Sequence, residues 1–206
     1  MLFRSIHTAV RATTVSGGSV TTNAGHISCR AVIVATDADA TRSLVPSVPT
    51  STSRSVTTWY HVADVPGDAL TQGTGTVVVD GKKFAESSAD RPLINSVVLT
   101  NAAPEYAPGR TLISSSAVGV HNDSATEQRV RAHLQTLYGV STTNWNVVAS
   151  YPIAHALPAA LPPHRAQGAR LGDGVYLAGD YRRRPSINAA LASGRIAGQE
   201  VCEDLR

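Results

Sequence analysis

The stretch that most limits the possible folds is Gly174-Val175-Tyr176-Leu177-Ala178-Gly179-Asp180, which runs through Tyr181-Arg182-Arg183-Arg184-Pro185 into Ser186-Ile187-Asn188-Ala189-Ala190-Leu191-Ala192-Ser193-Gly194-Arg195. It reads as a short buried strand, a tight Gly-Asp turn, a loop and a helix opened by Pro185-Ser186. Ile187, Leu191, Val201 and Leu205 recur at helical spacing, with Gly194 and Gly198 on the same stripe. Those glycines let another backbone approach closely. Ser186 is a natural N-cap, and the free N–H groups of the first turn suit an anionic or electron-rich ligand.

Composition closes off several other functions. At 206 residues the chain can bury one or two cores, and 42% hydrophobic with 16% charged residues fits a globular protein. No apolar run approaches the ~18–20 residues a membrane span needs. The net charge of +3 is small and Lys and Arg cluster only at Arg182-Arg183-Arg184, so nucleic acid is not an expected partner. That triplet reads as a solvated loop, with a phosphate contact as its alternative. Cys29 and Cys202 make neither a disulfide framework nor a zinc set, and the histidines show no HxH or HExxH spacing, so no metal is expected. G-x-S-x-G is absent. The start, Met1-Leu2-Phe3-Arg4-Ser5, has no secretory h-region, and the expected location is the cytoplasm.

From the N-terminus, Ile6 to Ala12 reads as a strand interrupted at Gly17-Gly18, and Asn23-Ala24-Gly25 as the turn of a hairpin. Arg30 to Asp37 is an apolar run of the kind buried in a parallel sheet, and Asp37 or Asp39 can cap a short helix that Pro46 stops. After a Pro/Ser/Thr-rich crossover over 46–53, β-branched runs at Val56 to Val62, Thr76 to Val79, Ile94 to Thr100 and Thr111 to Val118 predict an antiparallel sheet. Trp59 and Tyr60 face opposite sides of one strand, so only one can meet a cavity, and both read first as packed aromatics. Ser124 and Glu127 form an S-x-x-E capping box before a helix with a Val130, Leu134, Leu137 and Tyr138 stripe, ended by Gly139. Another strand follows over Asn146 to Tyr151. Proline then fixes an extended path through Pro152-Ile153-Ala154-His155-Ala156-Leu157-Pro158, with Pro162-Pro163 behind it.

"VYLAGD", a loop and "PSINAALASGRIAGQEV" resemble the C-terminal flavin-binding segment of FAD-dependent oxidoreductases of the phytoene desaturase and amine oxidase type. The "YPIAHALPA" stretch and the block ending in "AVIVATD" are similar to segments of the same family. The resemblance implies an α/β fold in which a split, Rossmann-like FAD-binding domain carries an inserted antiparallel substrate domain. It implies boundaries of 1–46 for the first FAD-binding part, 47–160 for the substrate domain and 161–206 for the C-terminal flavin motif. It places FAD contacts at Val10 (backbone, to adenine), Ala35 and Thr36 (near the pyrophosphate), Gly179 and Asp180 (ribityl–pyrophosphate), and Ser186, Ile187 and Asn188 (pyrimidine end of the flavin). Pro152, His155, Leu157 and Pro158 would line the substrate channel. His155 is the one titratable side chain there, either a base poised near neutral pH or a structurally satisfied histidine. No catalytic residue is assigned. The implied reaction is hydride transfer from a substrate C–H to flavin, with a polyene or an amine as substrate. A desaturase-type parent can touch a membrane peripherally, although no amphipathic basic helix argues for it here.

The N-terminal G-x-G-x-x-G fingerprint of dinucleotide-binding oxidoreductases is missing: Gly73-Thr74-Gly75 leads to Val78 and Gly172-Asp173-Gly174 to Leu177. The expectation is therefore a truncated member or fragment with weak or no FAD binding by itself. A flavin-free binding or scaffold module of the same fold is the rival reading. A nicotinamide-dependent enzyme is disfavoured because no Gly-rich turn exists to hold the dinucleotide.

Overall fold

A computed structural model describes residues 5–49, 52–82, 90–159, 161–162 and 165–206. Met1 to Arg4, part of the 46–53 crossover and Pro163 lie outside the described residues. The chain divides into two compact units, one from the described residues of 1–53 and 157–206, the other from 54–156.

The first unit begins with a three-stranded antiparallel meander, β1 (Ala12–Ser16), β2 (Ser19–Thr22) and β3 (Gly25–Ser28). The expected strand over Ile6 to Ala12 starts only at Ala12. Ala9 sits at φ +60, which bends the chain and leaves Val10 outside the sheet. Gly17-Gly18 is the turn between β1 and β2, and a Cβ on Gly17 would fall 1.5 Å from the Asp173 carbonyl oxygen. Next come β4 (Val32–Val34) and α1 (Ala38–Leu44), whose N-cap Asp37 accepts the Asp39 and Ala40 N–H groups at 3.0 and 2.9 Å.

The second unit is built on β5 (Ser53–Ala63), β6 (Val77–Val78), β7 (Leu93–Val98), β8 (Thr111–Val118) and β9 (Asn146–Pro158), in spatial order β6-β7-β8-β5-β9. Short helices α2 (Asp68–Thr71) and α3 (Leu99–Ala102) sit at strand ends, so Leu99 and Thr100 are helical where a strand was expected. α4 (Ser124–Tyr138) covers one face of the sheet, and Trp59, Leu93, Val98, Ile113, Val130, Leu134 and Trp145 close the core between them. Asp123, not Ser124, is the N-cap: its carboxylate takes the Thr126 N–H at 2.7 Å and hydroxyl at 2.8 Å. The expected capping box does not form because Glu127 turns to His61 and Arg131 instead. β9 does not stop at Tyr151 but continues through Pro152 to Pro158, which an edge strand tolerates because its outer N–H groups have no ladder partner.

The chain then completes the first unit with β10 (Arg170–Gly172), β11 (Val175–Leu177) and α5 (Ile187–Asp204). β11 pairs parallel with β4, Val175 opposite Val32 and Leu177 opposite Val34, and antiparallel with β10. Val32, Val34, Val45, Val48, Val175 and Leu177 form the core on one side of this sheet. On the other side α5 packs Ala197 against Ala169, Tyr176 and Ala178. Its C-terminal half is anchored by Glu200, which accepts the Ala169 and Arg170 N–H groups, and by Asp204, which accepts from Arg170 and Tyr176. The expected apolar stripe of α5 is covered only in its C-terminal half, where Val201 packs on this cluster and Leu205 is half-buried. Ile187 is 82% and Leu191 68% exposed, and Gly194 has open space around it, while Ser193 and Ala197 face the sheet. Among the described residues no helix is long and apolar enough to cross a membrane.

Candidate functional site

The site candidates of the first unit meet where β4 and β11 end side by side. Ala178 N–H donates to Val34 C=O at 2.9 Å, extending the parallel pairing and bringing Ala35-Thr36 level with Gly179-Asp180. Gly179 N–H donates to Ser193 Oγ at 2.8 Å, and that hydroxyl donates to Ala190 C=O at 2.8 Å, so the turn is tied to α5 from its side. Gly179 is extended, so its backbone would accept any residue; the constraint is space. A Cβ there would lie 2.2 Å from Tyr181 Cε1. The Tyr181 hydroxyl meets Thr41 Oγ1 at 3.0 Å, which meets Thr36 Oγ1 at 2.9 Å. Burial pushes the Tyr181 phenol above its ordinary range, so it stays protonated and able to donate. Tyr181 and the wholly buried Thr41 thus tie the turn to α1, a contact that sequence reading missed.

Past this turn, Ser186 caps α5 as expected, accepting the Ala189 N–H at 3.1 Å. The Ile187 and Asn188 amides of the first turn have no intrahelical acceptor. A cavity of about 450 Å³ opens at this end of the helix, lined by Ala166, Arg183, Arg184, Ser186, Asn188 and Ala189. Helix amides and two guanidinium side chains make it a place for an anionic or electron-rich group. Arg182 departs from the expected solvated loop. It is 9% exposed, its guanidinium donates to Gly168 C=O, and burial lowers its pKa from the usual arginine value. The Asp180 carboxylate takes no hydrogen bond from the described residues and is partly exposed beside the turn, available to a ligand hydroxyl.

Val10, of the same unit, does not join this group, and the other candidates lie on β9. Val10 lies in the irregular segment before β1, and no hydrogen bond or core contact links it to the turn. Leu157 and Pro158 end the edge strand β9, with Leu157 47% exposed. Pro152 lines a cavity of about 270 Å³ in the second unit, with Trp59, His121, Asp123, Glu127 and Ser150 among its walls. His155 is exposed on β9.

Two buried histidines of the second unit escaped sequence reading. His61 Nε2 lies 3.1 Å from Glu127 Oε1, which also takes Arg131 Nε at 2.7 Å. Burial lowers the His61 pKa, more than its bond to Glu127 raises it. His133 Nδ1 accepts the Leu93 N–H at 3.2 Å and its Nε2 lies 2.9 Å from Asp80, which Arg91 also contacts at 2.6 Å. Burial would raise the Asp80 pKa, but the Lys82 N–H, Arg91 and His133 together hold it below the usual carboxylate range. Both clusters fasten α4 to the sheet.

A two-part α/β chain in which parallel strands end at a Gly-Asp turn beside a capped helix N-terminus has the fold of the flavin oxidoreductases. The family model of flavin containing amine oxidoreductases matches residues 1–202, and the chain belongs to that family. No curated protein sequence matches it. Among solved structures it is similar to a putative protoporphyrinogen oxidase from an Exiguobacterium species (TM-score 0.69, 18% identity, 94% of this chain and 47% of the other). It is also similar to a putrescine oxidase (0.64, 11%, 94% and 48%) and to a CLA-producing fatty acid isomerase from P. acnes (0.64, 9%, 92% and 47%). These likenesses show the fold, and the chain spans about half the length of each.

Proposed function

We propose that this chain is the C-terminal half of an FAD-dependent oxidoreductase of the carotenoid desaturase or amine oxidase type. Residues 1–46 and 161–206 would belong to a split Rossmann-like FAD-binding domain, and 47–160 to the substrate domain. The observation that carries the reading is the convergence of Thr36, Gly179, Asp180 and the α5 N-terminus around the Thr36–Thr41–Tyr181 chain. The residues fit the cofactor. Gly179 keeps the turn clear of a Cβ, Asp180 offers an acceptor for ribityl or ribose hydroxyls, and the Ile187 and Asn188 amides with Arg183 and Arg184 offer donors to an electron-rich ring edge or phosphate. FAD, when bound, supplies a two-electron acceptor for hydride from a substrate C–H, a polyene or an amine.

The remaining pyrophosphate and adenosine contacts would come from a G-x-G-x-x-G segment outside these 206 residues, so FAD binding by this chain alone is expected to be weak. The absent fingerprint also favours a second reading, a flavin-free binding or scaffold module. Incubation with FAD, desalting and recording of the bound-flavin spectrum tests both, with Asp180→Ala as control and with a separately supplied N-terminal half. Flavin retained by wild type but not by Asp180→Ala, with or without the added half, supports the oxidoreductase reading. No flavin even with that half refutes it in favour of the module.

A further inference from the structure

The second unit's sheet has two unlike faces. One is dry beneath α4. The other carries Asn95, Ser116 and Thr58 in one cross-strand row and Ser114 beside Tyr60 in the next, all half-buried. Thr58 and Ser116 join hydroxyls at 2.9 Å, and the Tyr60 ring stands edge-on to Tyr151 at 5.8 Å. Tyr60, Ser114 and Asn95 make no side-chain hydrogen bond among the described residues. The outward positions from Val56 to Val62 and from Leu112 to Val118 include no charged residue. An ordinary solvent-facing sheet side carries Lys, Glu or Arg. Short hydroxyls, an amide and two tyrosines set among valines match the lining of a small-molecule surface, apolar with a few placed polar groups.

We infer that this face recognises a neutral substrate body bearing hydroxyl or carbonyl groups, which narrows the proposed polyene or amine to an oxygen-bearing or uncharged one, and that Thr58, Tyr60, Asn95, Ser114 and Ser116 determine that specificity. The inference rests on the reading of residues 47–160 as a substrate domain, and this is the sheet face that α4 leaves uncovered. A polyene laid here would strip water from the Tyr60, Ser114 and Asn95 polar groups and return nothing, which penalises it about tenfold or more per group. Among the described outward positions of β5, β7 and β8 an ammonium group would find no carboxylate. The two rows lie about 7 Å apart along the strands, so the favoured ligand spaces its polar groups on that scale.

The test titrates the full chain, carrying ring-labelled tyrosine, with an α,ω-octanediol, the matching diamine and the matching diene. It follows the Tyr60 and Tyr151 NMR signals, assigned through Tyr60→Phe. The diol should bind saturably and most tightly. In Ser114→Val with Ser116→Val, whose β-branched residues suit a strand, the diol should weaken about tenfold while the diene gains. Tightest binding by the diene or the diamine, no saturable shift with the diol, or an unchanged diol affinity in the double variant would each overturn the inference. None of these titrations uses flavin. Diol selectivity in a chain that retains no FAD even with the N-terminal half supplied upholds the polar surface and refutes the oxidoreductase reading, and FAD retention with diene preference does the reverse.

Discussion

Gly179→Ala isolates the constraint at the centre of the site. The backbone there is extended, so alanine brings no dihedral strain and the whole effect is steric. The new Cβ would lie 2.2, 2.6 and 3.1 Å from Tyr181 Cε1, Cδ1 and Cζ, against an ordinary carbon contact of ~3.5–4.0 Å. The Tyr181 ring must therefore retreat by about 1.5 Å, which breaks the 3.0 Å contact of its hydroxyl with Thr41. Overpacking costs ~1–3 kcal/mol and the lost hydrogen bond about 1 kcal/mol. Restricting the unfolded chain returns about 0.5–1 kcal/mol, leaving a net destabilisation near 2 kcal/mol. Urea unfolding should be followed by circular dichroism, because Trp59 and Trp145 both belong to the second unit and report on it alone. The midpoint should fall by about 1 M. In a Tyr181→Ala background the same Gly179→Ala change should cost almost nothing, a coupling energy of about 2 kcal/mol. A single variant within ~0.5 kcal/mol of wild type, or an undiminished cost in the Tyr181→Ala background, would refute the steric reasoning.

Asp123→Ala should destabilise the second unit by about 1–2 kcal/mol while Ser124→Ala stays within ~0.5 kcal/mol, measured by Trp fluorescence in urea; equal effects would put the cap at Ser124 after all. His61 has a lowered folded-state pKa, so the unfolded chain binds its proton first as pH falls. The stability it contributes is complete above its unfolded pKa near 6.5 and is lost as pH drops below that toward the folded value, with a slope of at most about 1.4 kcal/mol per pH unit. A His61→Gln variant should lose that part of the pH dependence, and identical pH profiles for the two proteins would contradict it. Leu191→Ser, on the exposed side of α5, should change unfolding free energy by less than ~0.5 kcal/mol and reduce concentration-dependent light scattering; a cost above about 1.5 kcal/mol would mean the side chain is packed.

What was legible in the sequence and what was not divide by the range of the interaction. Ser186 capping α5, Asp37 capping α1 and Gly139 ending α4 in the left-handed region are decided within a few residues, and each forms as the sequence implies. The Gly-Asp turn is legible for the same reason. The Thr41–Tyr181 contact spans 140 positions, His61–Glu127 66 and His133–Asp80 53, and no local pattern marks either partner. Glu127 shows how such a contact overrides a local one: a residue well placed for a capping box is taken by a buried histidine and an arginine, and Asp123 caps in its stead.

The N-terminal half of the α5 stripe departs from its reading for a different physical reason. Hydrophobic periodicity reports that a helix has an apolar side without saying which neighbour covers it. Here Ser193 and Ala197 are the residues of α5 buried against Tyr176 and Ala178, with Ile196 and Val201 packed at the margin of that contact. Ile187, Leu191 and Gly194 are left facing outward, and among the described residues β4 is the edge strand of its sheet. Parallel sheets are ordinarily covered and extended on both sides. Both features belong to the first unit, the one in which the flavin candidates converge, and the chain spans about half the length of its solved relatives. An apolar helix side and an open strand edge in the unit that holds the flavin candidates are what the proposed C-terminal half would present, so the separately supplied N-terminal half is the decisive arm of the flavin experiment.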